Sequence, residues 1–100
     1  MFKIWLFFKI HNIKVVEFKS GEFGIRSGFI EHRFLDIVDI FKKSAQCNWR
    51  LKTNTYFKDC RCLDKEKVQQ ALKQYIDFLD PVSKIIDVEF KTVFEISQND

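Results

Sequence analysis

Cys60 and Cys62 stand two positions apart, and Cys47, His32 and His11 are the other cysteine and histidine residues of the chain. If the segment around Cys60 is extended, both thiols point to one face, and with Cys47 and His32 they have the composition of a four-ligand zinc site. The spacing argues against it. Zinc motifs commonly place paired ligands in a turn with about two or more residues between them. Here one residue intervenes, and fifteen positions separate His32 from Cys47. An odd cysteine count without a signal-peptide pattern also argues against a disulfide framework, so the thiols read as small buried hydrophobes in a reducing compartment. A nucleophilic pair of Cys60 or Cys47 with His11 or His32 lacks a Gly-rich turn into a helix and a third orienting group. Gly21 belongs to a turn and Gly24 stands alone, so no phosphate-cradling loop exists. Asp36 and Asp39 flank apolar residues and read as polar punctuation rather than an acid–base couple. These residues imply no active site, no metal and no cofactor, and the chain reads as a non-enzyme.

Charge supplies a second kind of chemistry. Residues 42–67 carry 8 basic and 3 acidic groups, whereas residues 68–100 carry 3 basic and 6 acidic ones. Lys42, Lys43, Arg50, Lys52, Lys58 and Arg61 are interleaved with Trp49, Tyr56 and Phe57. Cations set among aromatics are what a single-stranded nucleic acid needs, through phosphate contacts and base stacking. The same string arises in any strand whose aromatics face a core and whose lysines face water, so nucleic acid is the alternative partner and protein the first.

The elements that must position these groups follow from periodicity. With 46% hydrophobic and 31% charged residues, 3 Gly and 1 Pro, the chain is too apolar to be disordered. Its 100 residues fit a single domain over 1–100. No apolar run reaches the roughly 20 residues of a membrane span. Lys3 and Lys9 break the only signal-like stretch, so residues 2–10 read as a strand of a cytoplasmic protein. In that strand Phe2, Ile4, Leu6, Phe8 and Ile10 share one face. A three-residue loop, His11–Ile13, then pairs Phe8 with Val16 and Leu6 with Phe18. Residues 14–19 and 22–26 form a hairpin about Ser20–Gly21, with Val16 opposite Ile25 and Phe18 opposite Phe23.

Residues 29–41 fit either a helix with the stripe Phe34, Ile37, Val38, Phe41 or a short strand over 34–37. Residues 47–51 read as a strand, and Tyr56–Cys62 as extended chain. Asp64 caps a helix over Lys65–Leu79 whose stripe is Val68, Leu72, Tyr75, Ile76 and Leu79, with Ala71 beside it, and Pro81 stops it. A last strand places Ile86, Val88, Phe90, Phe94 and Ile96 on one face, and Ser97–Asp100 reads as a frayed tail. The expected fold is α+β: an antiparallel sheet of hairpin or meander type, one amphipathic helix packed on one face, and a C-terminal strand. In the expected register Trp5 and Phe7 lie on the outer face with Val15, where two large aromatics call for a covering element or a protein partner.

Three segments carry a resemblance: Glu22-Phe23-Gly24-Ile25-Arg26 after a turn, Phe34-Leu35-Asp36-Ile37 followed by Trp49, and Tyr56-Phe57-Lys58-Asp59-Cys60 leading into Asp64–Val68. In this order, over about residues 15–80, they resemble small uncharacterised proteins encoded by tailed bacteriophages. The chain departs from that pattern in carrying one Trp where a pair is common and in its long final strand. The resemblance implies an accessory viral protein acting in the cytoplasm of an infected cell by binding, and inhibiting, a host or defence protein such as a CRISPR complex. It supplies no catalytic residue. A homodimer is the other protein partnership open to the Trp5–Phe7–Val15 surface.

Overall fold

The computed structural model describes residues 4–42, 47–79 and 96–98. They form an α+β fold on a five-stranded sheet. In chain order the elements are α1 (Ile4–His11), β1 (Lys14–Glu17), β2 (Phe23–Ser27), β3 (Arg33–Leu35), α2 (Ile37–Phe41), β4 (Trp49–Leu51), a 3₁₀ helix (Thr55–Cys60), α3 (Lys65–Leu79) and β5 (Ile96–Gln98). The strands lie in the order β4-β3-β2-β1-β5. The first four are antiparallel, and β5 runs parallel to β1 with Ile96 opposite Val15.

The first expected strand is a helix. Residues 4–8 are apolar at every position, so a period of two and a period of 3.6 fit them equally. The helix end decides between them. Asn12 adopts φ 52°, its N–H reaches the Lys9 carbonyl at 3.3 Å, and the Ile13 N–H reaches Phe8 at 2.8 Å. This is a Schellman cap, and Phe8 and Ile13 close it by packing in one buried cluster. The expected pairings of Phe8 with Val16 and Leu6 with Phe18 are therefore absent.

The hairpin forms one residue out of the expected register. Gly21, at φ 88°, takes the left-handed position of a three-residue loop, Lys19–Gly21, which the Phe18 N–H closes on the Glu22 carbonyl at 2.8 Å. Val15 consequently faces Ile25, and Val16 faces Gly24. One residue of slip divides the apolar set between the two faces of the sheet. Val15, Ile25 and Leu35 pack with Phe8 of α1, Ile37 and Ile40 of α2, and the α3 stripe. Val16, Phe18 and Phe34 pack on the opposite face with Cys60, and Phe57 of the 3₁₀ helix closes over them. Among the described residues the helical layer thus holds three helices where one was expected, and the 3₁₀ helix, where extended chain was expected, forms a second cover.

Residues 29–41 divide between their two readings: the strand covers Arg33–Leu35 rather than 34–37, and the helix only Ile37–Phe41, so Phe34 leaves the expected helical stripe for the opposite face of the sheet and Val38 is exposed. The boundary is Asp36, whose Oδ1 accepts from the Asp39 N–H at 3.0 Å and caps α2. The helix Lys65–Leu79 forms where the sequence places it, and the strand around Trp49 forms over Trp49–Leu51, the last three residues of the expected 47–51. Asp64 Oδ1 accepts from the Glu66 and Lys67 N–H groups at 3.0 and 3.4 Å. Val68, Ala71, Leu72, Tyr75 and Ile76 are buried. Asp64→Ala is expected to lower stability by about 0.5–2 kcal/mol through loss of this cap, read from a thermal melt; an unchanged melt would show that the exposed first turn contributes nothing. Ser97 and Gln98, expected in a frayed tail, continue β5. The positions Ile86, Val88, Phe90 and Phe94 lie outside the described residues.

Candidate protein interface

The thiols and imidazoles do not converge. Cys60 is fully buried on the 3₁₀-helix face of the sheet, where its Sγ donates to the Phe34 carbonyl at 3.5 Å. Cys62 pairs its backbone with Phe23 and packs on the opposite face, so the two thiols do not share a side. The 3₁₀ turn between Thr55 and Cys60 removes the extended geometry that placed them together. All three cysteines are free, and among the described residues no group of three metal-ligating side chains exists. Burial pushes the Cys60 thiol up to about 12 and raises Cys47 as well, so neither is held as a thiolate near neutral pH. The His11 ring packs against Phe7 in a tilted contact, with centroids 4.4 Å apart. Burial, with the Arg26 charge, holds His32 below its ordinary range.

The basic block is dispersed, and its two arginines are engaged. Arg50 donates from Nε to Asp36 Oδ2 at 2.8 Å and from Nη2 to Asp39 Oδ2 at 3.4 Å, and its guanidinium lies 5.0 Å from the centre of the Tyr56 ring. Asn48 Nδ2 donates to Asp39 at 2.7 Å, and the Asp36 N–H to the Asn48 carbonyl at 2.9 Å. Asp36 is 1% exposed, so this network ties the β3–α2 corner to β4. Asp36 and Asp39, which read as punctuation, are its centre. Arg61 pairs with Glu22 at 3.3 Å and lies over Phe57 at 4.9 Å. Lys52 reaches over the Phe18 ring at 6.0 Å, Lys58 is exposed on the 3₁₀ helix, and Lys42 follows α2. Lys43 lies outside the described residues. Trp49, expected beside these cations, instead packs edge-on against Tyr75 at 5.5 Å in the opposite layer.

Of the expected outer-face residues, Val15 is fully buried in the main core, because the hairpin register turns it toward α3. Phe7 is half-buried against that core. The Trp5 side chain lies outside the described ones. The exposed apolar surface at this end of the molecule comes from other residues. On α1, Leu6 and Ile10 sit one turn apart and both are exposed. In the loop between β2 and β3, Phe29 is 68% exposed and Ile30 is 99% exposed.

That loop is tied to α1. The Gly28 N–H donates to the His11 carbonyl at 2.9 Å, and Asn12 Nδ2 donates to the Gly28 carbonyl at 2.8 Å. Gly28 holds φ 92°, and a Cβ added there would lie 2.3 Å from the Glu31 carbonyl oxygen, so only glycine fits the turn. Phe29 and Ile30 are thus presented on an anchored turn beside the helix C-terminus. The signal was present in the sequence: two large apolar residues follow Ser27–Gly28, inside a turn that connects two strands and buries nothing of its own. Among the described residues no helix is long and apolar enough to cross a membrane. Compared with known protein families, curated proteins and solved structures, the chain matches none.

Proposed function

We propose that this protein works by binding another protein through α1 and the Gly28–Glu31 turn, and not by catalysis. The observation that carries the reading is the near-complete exposure of Ile30, with Phe29 beside it, on a turn held to α1 by two hydrogen bonds. Anchoring lowers the ordering cost of binding, and a fully buried apolar side chain contributes about 1.5–3 kcal/mol before association losses. In the setting that the bacteriophage resemblance implies, the partner is a host or defence protein, a CRISPR complex among them, and the binding inhibits it. Protein is favoured over nucleic acid because Arg50 and Arg61 are held by carboxylates and Trp49 faces the core.

The test compares the protein with a Phe29→Ser/Ile30→Ser variant, as bait for a bacterial lysate and in light scattering. The variant should melt within about 0.5 kcal/mol of the parent, since both side chains are exposed. The parent should retain a lysate protein that the variant loses. Self-association lost in the variant would make the partner a second copy of the chain. Equal retention by both, or retention by neither, would remove this surface as the binding site.

A further inference from the structure

A cleft of about 310 Å³ opens between α2 and the start of α3. That volume is near the lower end of ligand pockets, roughly 300–1,000 Å³, and suits one large side chain with its flanks. Its apolar lining is Ile37, Val38, Phe41 and Cys62, and its charged lining is Lys42, Arg61 and Lys67. None of the described lining residues is acidic. Arg61 is partly offset by Glu22, but among the described residues Lys42 and Lys67 have no ion pair. The Lys67 ammonium stands 5.7 Å from the centre of the Phe41 ring, so cationic and apolar walls meet there. Arg61 Nε is buried without a hydrogen-bond partner.

We propose that this cleft binds an acidic peptide segment, with a Phe or Leu side chain set against Val38 and Phe41 and flanking carboxylates on Lys42 and Lys67. The charge selects the ligand. A cationic segment would meet the like charges of Lys42 and Lys67, and a neutral one would leave those two lysines without a counter-charge. Peptide is favoured over nucleic acid because the apolar walls form a recess for one side chain, whereas a nucleic-acid strand needs cations spaced along a groove with open aromatic faces. The site is separate from the α1 and Gly28–Glu31 surface and does not depend on a partner there.

Fluorescence anisotropy of a labelled Glu-Asp-Glu-Phe-Glu-Asp peptide tests it, with hexaglutamate, a Lys-for-acid counterpart and an oligothymidylate as competitors. The Phe-containing acidic peptide should bind, and Lys42→Glu/Lys67→Glu should weaken it by about tenfold or more. Lys14→Glu/Lys73→Glu changes the net charge equally at exposed positions away from the cleft and should weaken binding by less than about threefold. Val38→Asp, at an exposed lining position, should weaken it as the Lys42/Lys67 pair does. Hexaglutamate binding equally well, equal losses in both charge pairs, or no binding to the folded protein would overturn the proposal. Oligothymidylate displacing the peptide in a Lys67-dependent way would overturn it in favour of a nucleic-acid site.

Discussion

Arg50→Met is expected to destabilise the protein by about 3–5 kcal/mol, the cost of leaving a buried carboxylate without its counter-charge. Asp36 is the carboxylate at issue. It is 1% exposed, and among the described residues its side chain accepts, besides Arg50, the α2 N–H of Asp39 on Oδ1. Marginal stabilities of about 5–15 kcal/mol make this a large fraction of the total. The pair is not expected to be strongly stabilising in itself, because desolvating two charges offsets much of their attraction. The double variant Arg50→Met/Asp36→Asn should therefore recover part of the loss, since Asn keeps the cap and leaves no unpaired charge. Urea denaturation of the two single variants and the double one decides. A single Arg50→Met loss under about 1 kcal/mol, or a double variant as unstable as the sum, would mean that the corner is not held by this pair.

Phe34→Ala should cost a similar amount, about 3–5 kcal/mol, through a cavity in the smaller core. Phe34 is 1% exposed, and its ring lies 5.4 Å from Phe18 and 5.1 Å from Phe57. Three aromatics in mutual contact cover this face of the sheet, and few side chains could relax into the space left. The same change should admit reagents to Cys60, whose thiol packs in that cluster and is held protonated by burial. Denaturation together with the rate of thiol labelling tests both parts. Phe34→Ala with unaltered stability, or with Cys60 no more reactive than before, would mean that the 3₁₀ helix does not depend on this packing.

Much of the fold was readable in the residues themselves. Asp64 followed by a stripe at 3.6-residue spacing fixes α3 because the cap and the apolar period are local properties that no distant contact needs to supply. The strand at Trp49 and the α+β class follow from local patterns of the same kind. The candidate interface was readable only in part. Phe29–Ile30 after a turn is visible in the sequence, but its anchoring to α1 depends on a helix that the apolar run at 4–8 left ambiguous.

What tertiary structure decided has a common cause. A run apolar at every position, such as residues 4–8, carries no period, and only the Schellman cap at Asn12 with the burial of Phe8 makes it a helix. In the hairpin, Val15 and Val16 are equally apolar, so hydrophobicity could not choose which one faces α3; the backbone of Gly21 chose. Because both faces of the sheet are covered, the inner strands lost the alternation that sets a register in a sheet with one wet face. Cys60 and Cys62 were separated by the same effect, since the 3₁₀ turn sends one thiol to each face. The Asp36–Arg50 pair spans fourteen positions, and nothing local announces such a contact. Local chemistry determined α3 and the fold class, whereas the cap at Asn12 and the turn at Gly21 settled α1 and the hairpin register, and the layer covering each face determined where the charged and sulfur-bearing side chains came to rest.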